Sequence, residues 1–121
     1  MKYLCLLYFD EHELYSLPKH DMDRLIDDQL AFDRDVTGSG HLLNTNPLEP
    51  AKASATVRVR DGRISTTDGP FAETKEQICG YYLIDARDLN EAIRVAAKMP
   101  AAKLGTIEVR PVRDVRKWSE W

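Results

Sequence analysis

Asp68, Glu73 and Lys75 lie within eight positions of one another, and Tyr81 follows six positions later. Two carboxylates, an ammonium group and a phenol at the mouth of a cavity can move a proton or hold a polar ligand. On this reading Asp68 is a catalytic acid or base, buried enough to raise its pKa, and Phe71, Glu73, Lys75 and Tyr81 bind the ligand. A purely architectural reading serves equally well. Asp68 can accept hydrogen bonds from the amides of its own turn, Pro70 fixes φ, and Gly69 permits a close backbone approach. Phe71 then anchors the turn into the core. The residues alone leave both readings open.

His41 is the best placed of the three histidines, since it opens a strand directly after Gly38-Ser39-Gly40. It is the second catalytic candidate, as an acid or base near neutral pH. His12 and His20 stand in a charged, exposed segment. No histidine shares a ligand spacing with a cysteine or carboxylate, so neither a metal nor any other cofactor is expected. Cys5 and Cys79 each sit inside an apolar run and read as buried thiols of a reducing cytoplasm, not as a disulfide. There is no glycine-rich phosphate loop and no nucleophile elbow.

The elements that must position these groups follow from periodicity. Lys2 to Phe9 and Cys79 to Ile84 are apolar at odd and even positions alike, the pattern of strands covered on both faces. Between Pro18 and Val36, Met22, Leu25, Ile26, Gln29, Phe32 and Val36 recur at helical spacing, predicting an amphipathic helix opened by Ser16 or Pro18. His41 to Thr45 predicts a brief strand cut short by Pro47 and Pro50. Asp61-Gly62 between alternating runs predicts a hairpin of Ala55–Arg60 with Arg63–Thr66, projecting from the sheet edge. Asp88 with Glu91 forms a capping box for a second helix, whose core face reads as Leu89, Ala92, Ile93, Ala96 and Ala97 and which Pro100 ends. Thr106 to Val112 is the last strand.

Strand, helix, strand, hairpin, strand, helix, strand is the ferredoxin-like βαββαβ order with an inserted β-hairpin, an α+β fold. The two strands that read as covered on both faces are the ones this topology puts at the centre. Two helices cover only one face of such a sheet, and a second copy is the economical cover for the other, so a homodimer is expected. The chain of 121 residues has room for one core, placed at residues 1–113, with a tail at 114–121. A net charge of −3 argues against a protein that grips phosphate backbones, so no direct nucleic-acid partner is expected. The first apolar run is too short to span a bilayer and lacks a cleavage site, so a cytoplasmic protein without membrane partners is expected.

The stretch TVRVRDGRISTTDGPFAETKEQICGY, Thr56 to Tyr81, closely resembles the YCII-related proteins of the DGPF type, small bacterial proteins named for the tetrapeptide found here as Asp68-Gly69-Pro70-Phe71. The likeness extends to Met1-Lys2-Tyr3, Gly40-His41-Leu42, Gly80 to Ile84, and Leu104 to Val112. The resemblance implies a dimeric α+β barrel whose sheet faces enclose a small-molecule cavity, as in related cofactor-free enzymes. It also implies an alternative role as a regulatory module, because such proteins are often encoded beside extracytoplasmic-function sigma factors. Arg113, Arg116, Lys117, Trp118 and Trp121 would then present a basic aromatic patch to a protein partner. The wider family is associated with a His–Asp pair flanking the first helix. This chain departs from it, with Gly38 at the Asp position and no histidine around Leu25.

Overall fold

The computed structural model describes residues 1–120; Trp121, and with it part of the expected tail patch, lies outside the described residues. β1 (Lys2–Phe9) runs into a short helix α1 (Glu11–Tyr15), capped by the Asp10 carboxylate, which accepts the Glu13 amide at 3.3 Å. α2 (Lys19–Gly38) starts behind Pro18, one of the two starts expected, and leads to β2 (Leu42–Pro47). A single 3-10 turn at Ala51–Ala53 precedes β3 (Ala55–Arg60) and β4 (Arg63–Asp68). β5 (Gln77–Asp85), α3 (Leu89–Ala97), α4 (Ala101–Leu104) and β6 (Thr106–Pro111) follow, and a 3-10 turn at Val115–Lys117 closes the described chain.

The main sheet has the order β2-β5-β1-β6, with every neighbouring pair antiparallel. This is the ferredoxin-like α+β arrangement, and β1 and β5, which carry the two runs apolar on both faces, occupy its centre as expected. β3 and β4 form a two-stranded sheet of their own. Their turn is Asp61-Gly62 with φ of 53° and 74°, the primed turn that matches strand twist. Val57, Val59 and Ile64 share one face of this hairpin and are all exposed, so its apolar side is as wet as its polar side.

The core lies between the main sheet and the helices. Tyr3, Cys5, Leu7 and Phe9 of β1 meet Tyr82 and Ile84 of β5, Phe32 and Val36 of α2, and Ala92, Val95, Ala96 and Met99 around α3. Leu89 and Ile93, expected on the core face of α3, are 44% and 48% exposed, and Val95 takes that place. Ala97, also expected on that face, is exposed, and the two buried alanines of α3, Ala92 and Ala96, let the helix lie close to the sheet. α3 ends at Ala97, and Pro100 starts the next short helix instead of stopping this one. The N-cap holds, with the Asp88 carboxylate accepting the Glu91 amide at 2.9 Å, but Glu91 reaches one residue past the cap, to the Arg87 amide at 3.2 Å, and not to the Asp88 amide of a regular capping box.

The opposite face of the sheet carries Leu4, Leu6 and Tyr8 of β1 beside Tyr81 and Leu83 of β5, all half-buried with no helix above them. Glu108 and Arg110 of β6 lie on the same face, next to Leu6 and Leu4, and pair with each other. Apart from that pairing, Glu108 Oε2 is buried without a hydrogen-bond partner. Both cysteines are free thiols, and burial pushes Cys5 up to about 11. Among the described residues, no helix is long and apolar enough to cross a membrane.

Candidate functional site

The turn that carries the distinctive tetrapeptide is held by its backbone. Gly69 donates its amide to Ser54 O at 2.7 Å and accepts from Thr56 Oγ1 at 2.9 Å, which ties the end of β4 to the start of β3. Gly69 sits at φ +91°, a conformation that costs any other L-residue about 1–2 kcal/mol. Asp68 is exposed at the end of β4 opposite Ala55, and among the described residues no turn amide donates to its carboxylate. Phe71 is 80% exposed and does not anchor the turn in the core, because the hairpin stands off the sheet and offers no apolar ceiling. With Pro70, Thr74, Glu76, Tyr8 and Ile78 it lines a groove of about 680 Å³. Glu73 and Lys75 are exposed and do not line that groove.

The remaining candidates lie elsewhere. Tyr81 projects from the uncovered sheet face, where its hydroxyl donates to Asn44 Oδ1 at 2.5 Å and accepts from Asn46 Nδ2 at 2.9 Å. His41 lies on the helix side. Its Nδ1 meets Ser39 Oγ at 2.7 Å and its Nε2 meets Glu91 at 3.2 Å, so it bridges the end of α2 to the start of α3. Glu91 is held below the usual carboxylate range, first by the Arg87 amide and then by His41 and the Arg87 guanidinium. The fold therefore does not gather His41 and Tyr81 with Asp68, Glu73 and Lys75; it distributes them over two sheet faces and a hairpin base.

What it does gather is a group that no contiguous motif announces. Between α2 and the sheet lies a cavity of about 430 Å³, lined largely by aliphatic and aromatic side chains including Phe9, Leu14, Met22 and Leu25. At its polar end Tyr82, only 4% exposed, donates its hydroxyl to Asp33 Oδ1 in a short hydrogen bond and accepts from Gln29 Nε2 at 2.5 Å. Burial, and then the hydrogen bond to Asp33, push the Tyr82 phenol up to about 12, against the smaller opposing effect of Gln29. The phenol thus stays protonated at neutral pH and acts as a fixed donor. Phe32 packs edge-on against its ring, with centroids 5.5 Å apart and planes at 78°. Tyr15, Ile26 and Leu30 are all about half exposed and lie at the same cavity. Asp33 is the one charged side chain among the described lining residues.

One sign of this site is present in the sequence. Gln29 occupies an otherwise apolar stripe of α2, and Asp33 follows one helical turn later, on the same side. Tyr82 is 49 residues from Asp33 and hides inside the apolar run of β5, so only folding brings them together.

Comparison with known proteins places nearly the whole chain in one family. Residues 1–116 match the family model of the YCII-related domain. The chain is also 40% identical over 114 residues to an uncharacterized protein of Rhizobium meliloti (strain 1021), an alignment covering 93% of this chain and 92% of that one.

Proposed function

The chain belongs to the YCII-related domain family, and we propose that it is a small-molecule-binding protein whose ligand lies in the cavity between α2 and the sheet. The observation that carries this reading is the Tyr82–Asp33–Gln29 network at the polar end of an apolar cavity of about 430 Å³. That combination of size, apolar walls and a few convergent polar groups is what orients a small ligand. The Asp33 oxygen not bonded to Tyr82 is an acceptor for a ligand's donor, and no lysine or arginine is among the described lining residues to welcome an anion. The ligand class is therefore an apolar molecule bearing a hydroxyl or amino donor. A carboxylate in contact with a bound hydroxyl is also the group that would take its proton, which is where acid–base chemistry would start. This moves the acid–base carboxylate from Asp68 at the turn to Asp33 under α2.

A panel of p-cresol, p-toluidine and the matched hydrocarbon p-xylene tests the proposal by amide NMR titration. The phenol and the amine should perturb Gln29, Asp33 and Tyr82, and bind at least tenfold more tightly than p-xylene, since a hydrogen bond to a charged group is worth about 1.5–3 kcal/mol. Asp33→Asn should remove most of that preference. Equal affinities for all three, or shifts confined to other residues, would count against the site.

The working form is proposed to be a homodimer paired through the uncovered sheet face. The half-buried Leu4, Leu6, Tyr8, Tyr81 and Leu83, left uncovered on one sheet face, support this.

A further inference from the structure

The uncovered face is narrow. Four strands at ~4.8 Å and six residues at ~3.3 Å give a flat footprint of roughly 400 Å². Side-chain relief takes that only toward the ~800 Å² per partner of a stable interface. Two further exposed apolar features remain, and they sit at opposite ends of β1. The groove lined by Phe71, Ile78 and Leu48, respectively 80%, 38% and 46% exposed, lies beside Tyr8. The tail leaves the sheet at Pro111, opposite Tyr3, and Val112 continues the pairing to Lys2 O, moving away from the groove. On it Val115 and Trp118 are 70% and 72% exposed.

Their charges match as well. Glu49 and Glu76 line the groove and no lysine or arginine does so among the described residues, whereas the tail carries Arg113, Arg116 and Lys117 against Asp114 and Glu120. A two-fold axis crossing β1 at right angles between facing sheets puts the Tyr3 end of one copy over the Tyr8 end of the other. Each tail then reaches the other copy's groove, as an isologous interface requires.

We propose that the occupant of the Phe71 groove is the C-terminal tail of a second copy of this chain, with Trp118 packed against Phe71 and Lys117 facing Glu49. This rests on the dimer reading above and adds a reciprocal tail exchange to it. The exposure of Phe71 is then a property of one chain alone.

The test uses the full chain carrying Trp121→Phe, so that Trp118 is the sole tryptophan reporter, and follows mass by sedimentation equilibrium and emission by fluorescence over one dilution series. Emission is expected to move from blue to red as the mass falls from two chains to one. Phe71→Ser should give the red emission even in the dimer. Lys117→Glu should weaken dimerisation about tenfold, and adding Glu49→Lys should recover it. If the mass halves on dilution while Trp118 emission stays red throughout, the tail exchange is wrong and the sheet-face dimer stands. A one-chain mass at every concentration would overturn both.

Discussion

Replacing Gly105 by alanine should destabilise the fold more than most single-methyl changes, by about 3 kcal/mol, because the clash is with backbone rather than with a movable side chain. Gly105 ends α4 and hands the chain to β6, and its amide donates to Ala101 O at 2.8 Å. A Cβ added there would stand 2.0 Å from Tyr8 O and 3.2 Å from Tyr8 C, with Phe9 Cδ1 at 3.1 Å. Phe9 is a core ring and Tyr8 O belongs to a central strand, so neither can retreat without opening the sheet. Relief therefore comes from β6 shifting off β1, which strains the Tyr8–Thr106 pairing at the start of that ladder. Urea unfolding should show a lowered midpoint at unchanged m, and the melting temperature should fall by about 10–15 °C. A loss below about 1 kcal/mol would mean that the strand moves freely at this point, against the register described above.

The contrast between a legible fold and a poorly legible site has a physical cause. Architecture is encoded in runs: the apolar filling of Leu4 to Phe9 and of Cys79 to Ile84 marks the two central strands, and Asp61-Gly62 marks the hairpin turn. Each of these signals is local, so reading it needs no knowledge of what comes near it. The α3 core face was harder to read because size was the wrong guide. Leu89 and Ile93 are the large apolar residues there, yet the face that docks is the one with Ala92 and Ala96, where small side chains allow close approach.

Sites have no such locality. The segment from Asp68 to Tyr81 attracts attention because its polar groups are adjacent in sequence, and in a hairpin base adjacency scatters side chains outward. Asp68, Glu73 and Lys75 accordingly end up exposed and separate from His41. The group that is assembled, Gln29, Asp33 and Tyr82, spans two elements more than 40 residues apart. Only Gln29 breaks a pattern strongly enough to be noticed beforehand, as the polar member of an apolar helical stripe. Phe71 shows a third kind of limit. An aromatic residue after Gly-Pro reads as an anchor, and whether it has anything to anchor to depends on surfaces that one chain does not supply.

The second large expected effect is an alkaline loss of stability, and it reports directly on the Tyr82 network. Burial pushes Cys5 from its ordinary 9.0 to about 11, and burial together with Asp33 pushes Tyr82 from 10.0 to about 12. Both groups are raised, so the folded chain holds protons that the unfolded chain gives up first. Their contribution is complete below pH 9 and is lost as pH rises, through 9 to 11 for Cys5 and through 10 to 12 for Tyr82. Each displacement corresponds to about 3 kcal/mol. Urea unfolding of the parent protein should therefore weaken steeply between pH 9 and 12. Tyr82→Phe should start about 1–2 kcal/mol less stable, having lost the phenol's two hydrogen bonds, and then fall less steeply above pH 10. Cys5→Ala should change the slope only in the lower part of the range. Parallel curves for the parent and Tyr82→Phe would show that the phenol is not held in its protonated state by the fold. The same retained proton has a consequence for binding. Tyr82 donates to Asp33 throughout the neutral range, so one carboxylate oxygen is engaged and the other is left to a ligand in the cavity that Asp33 lines. Affinity for p-cresol should accordingly stay level from pH 7 to pH 9.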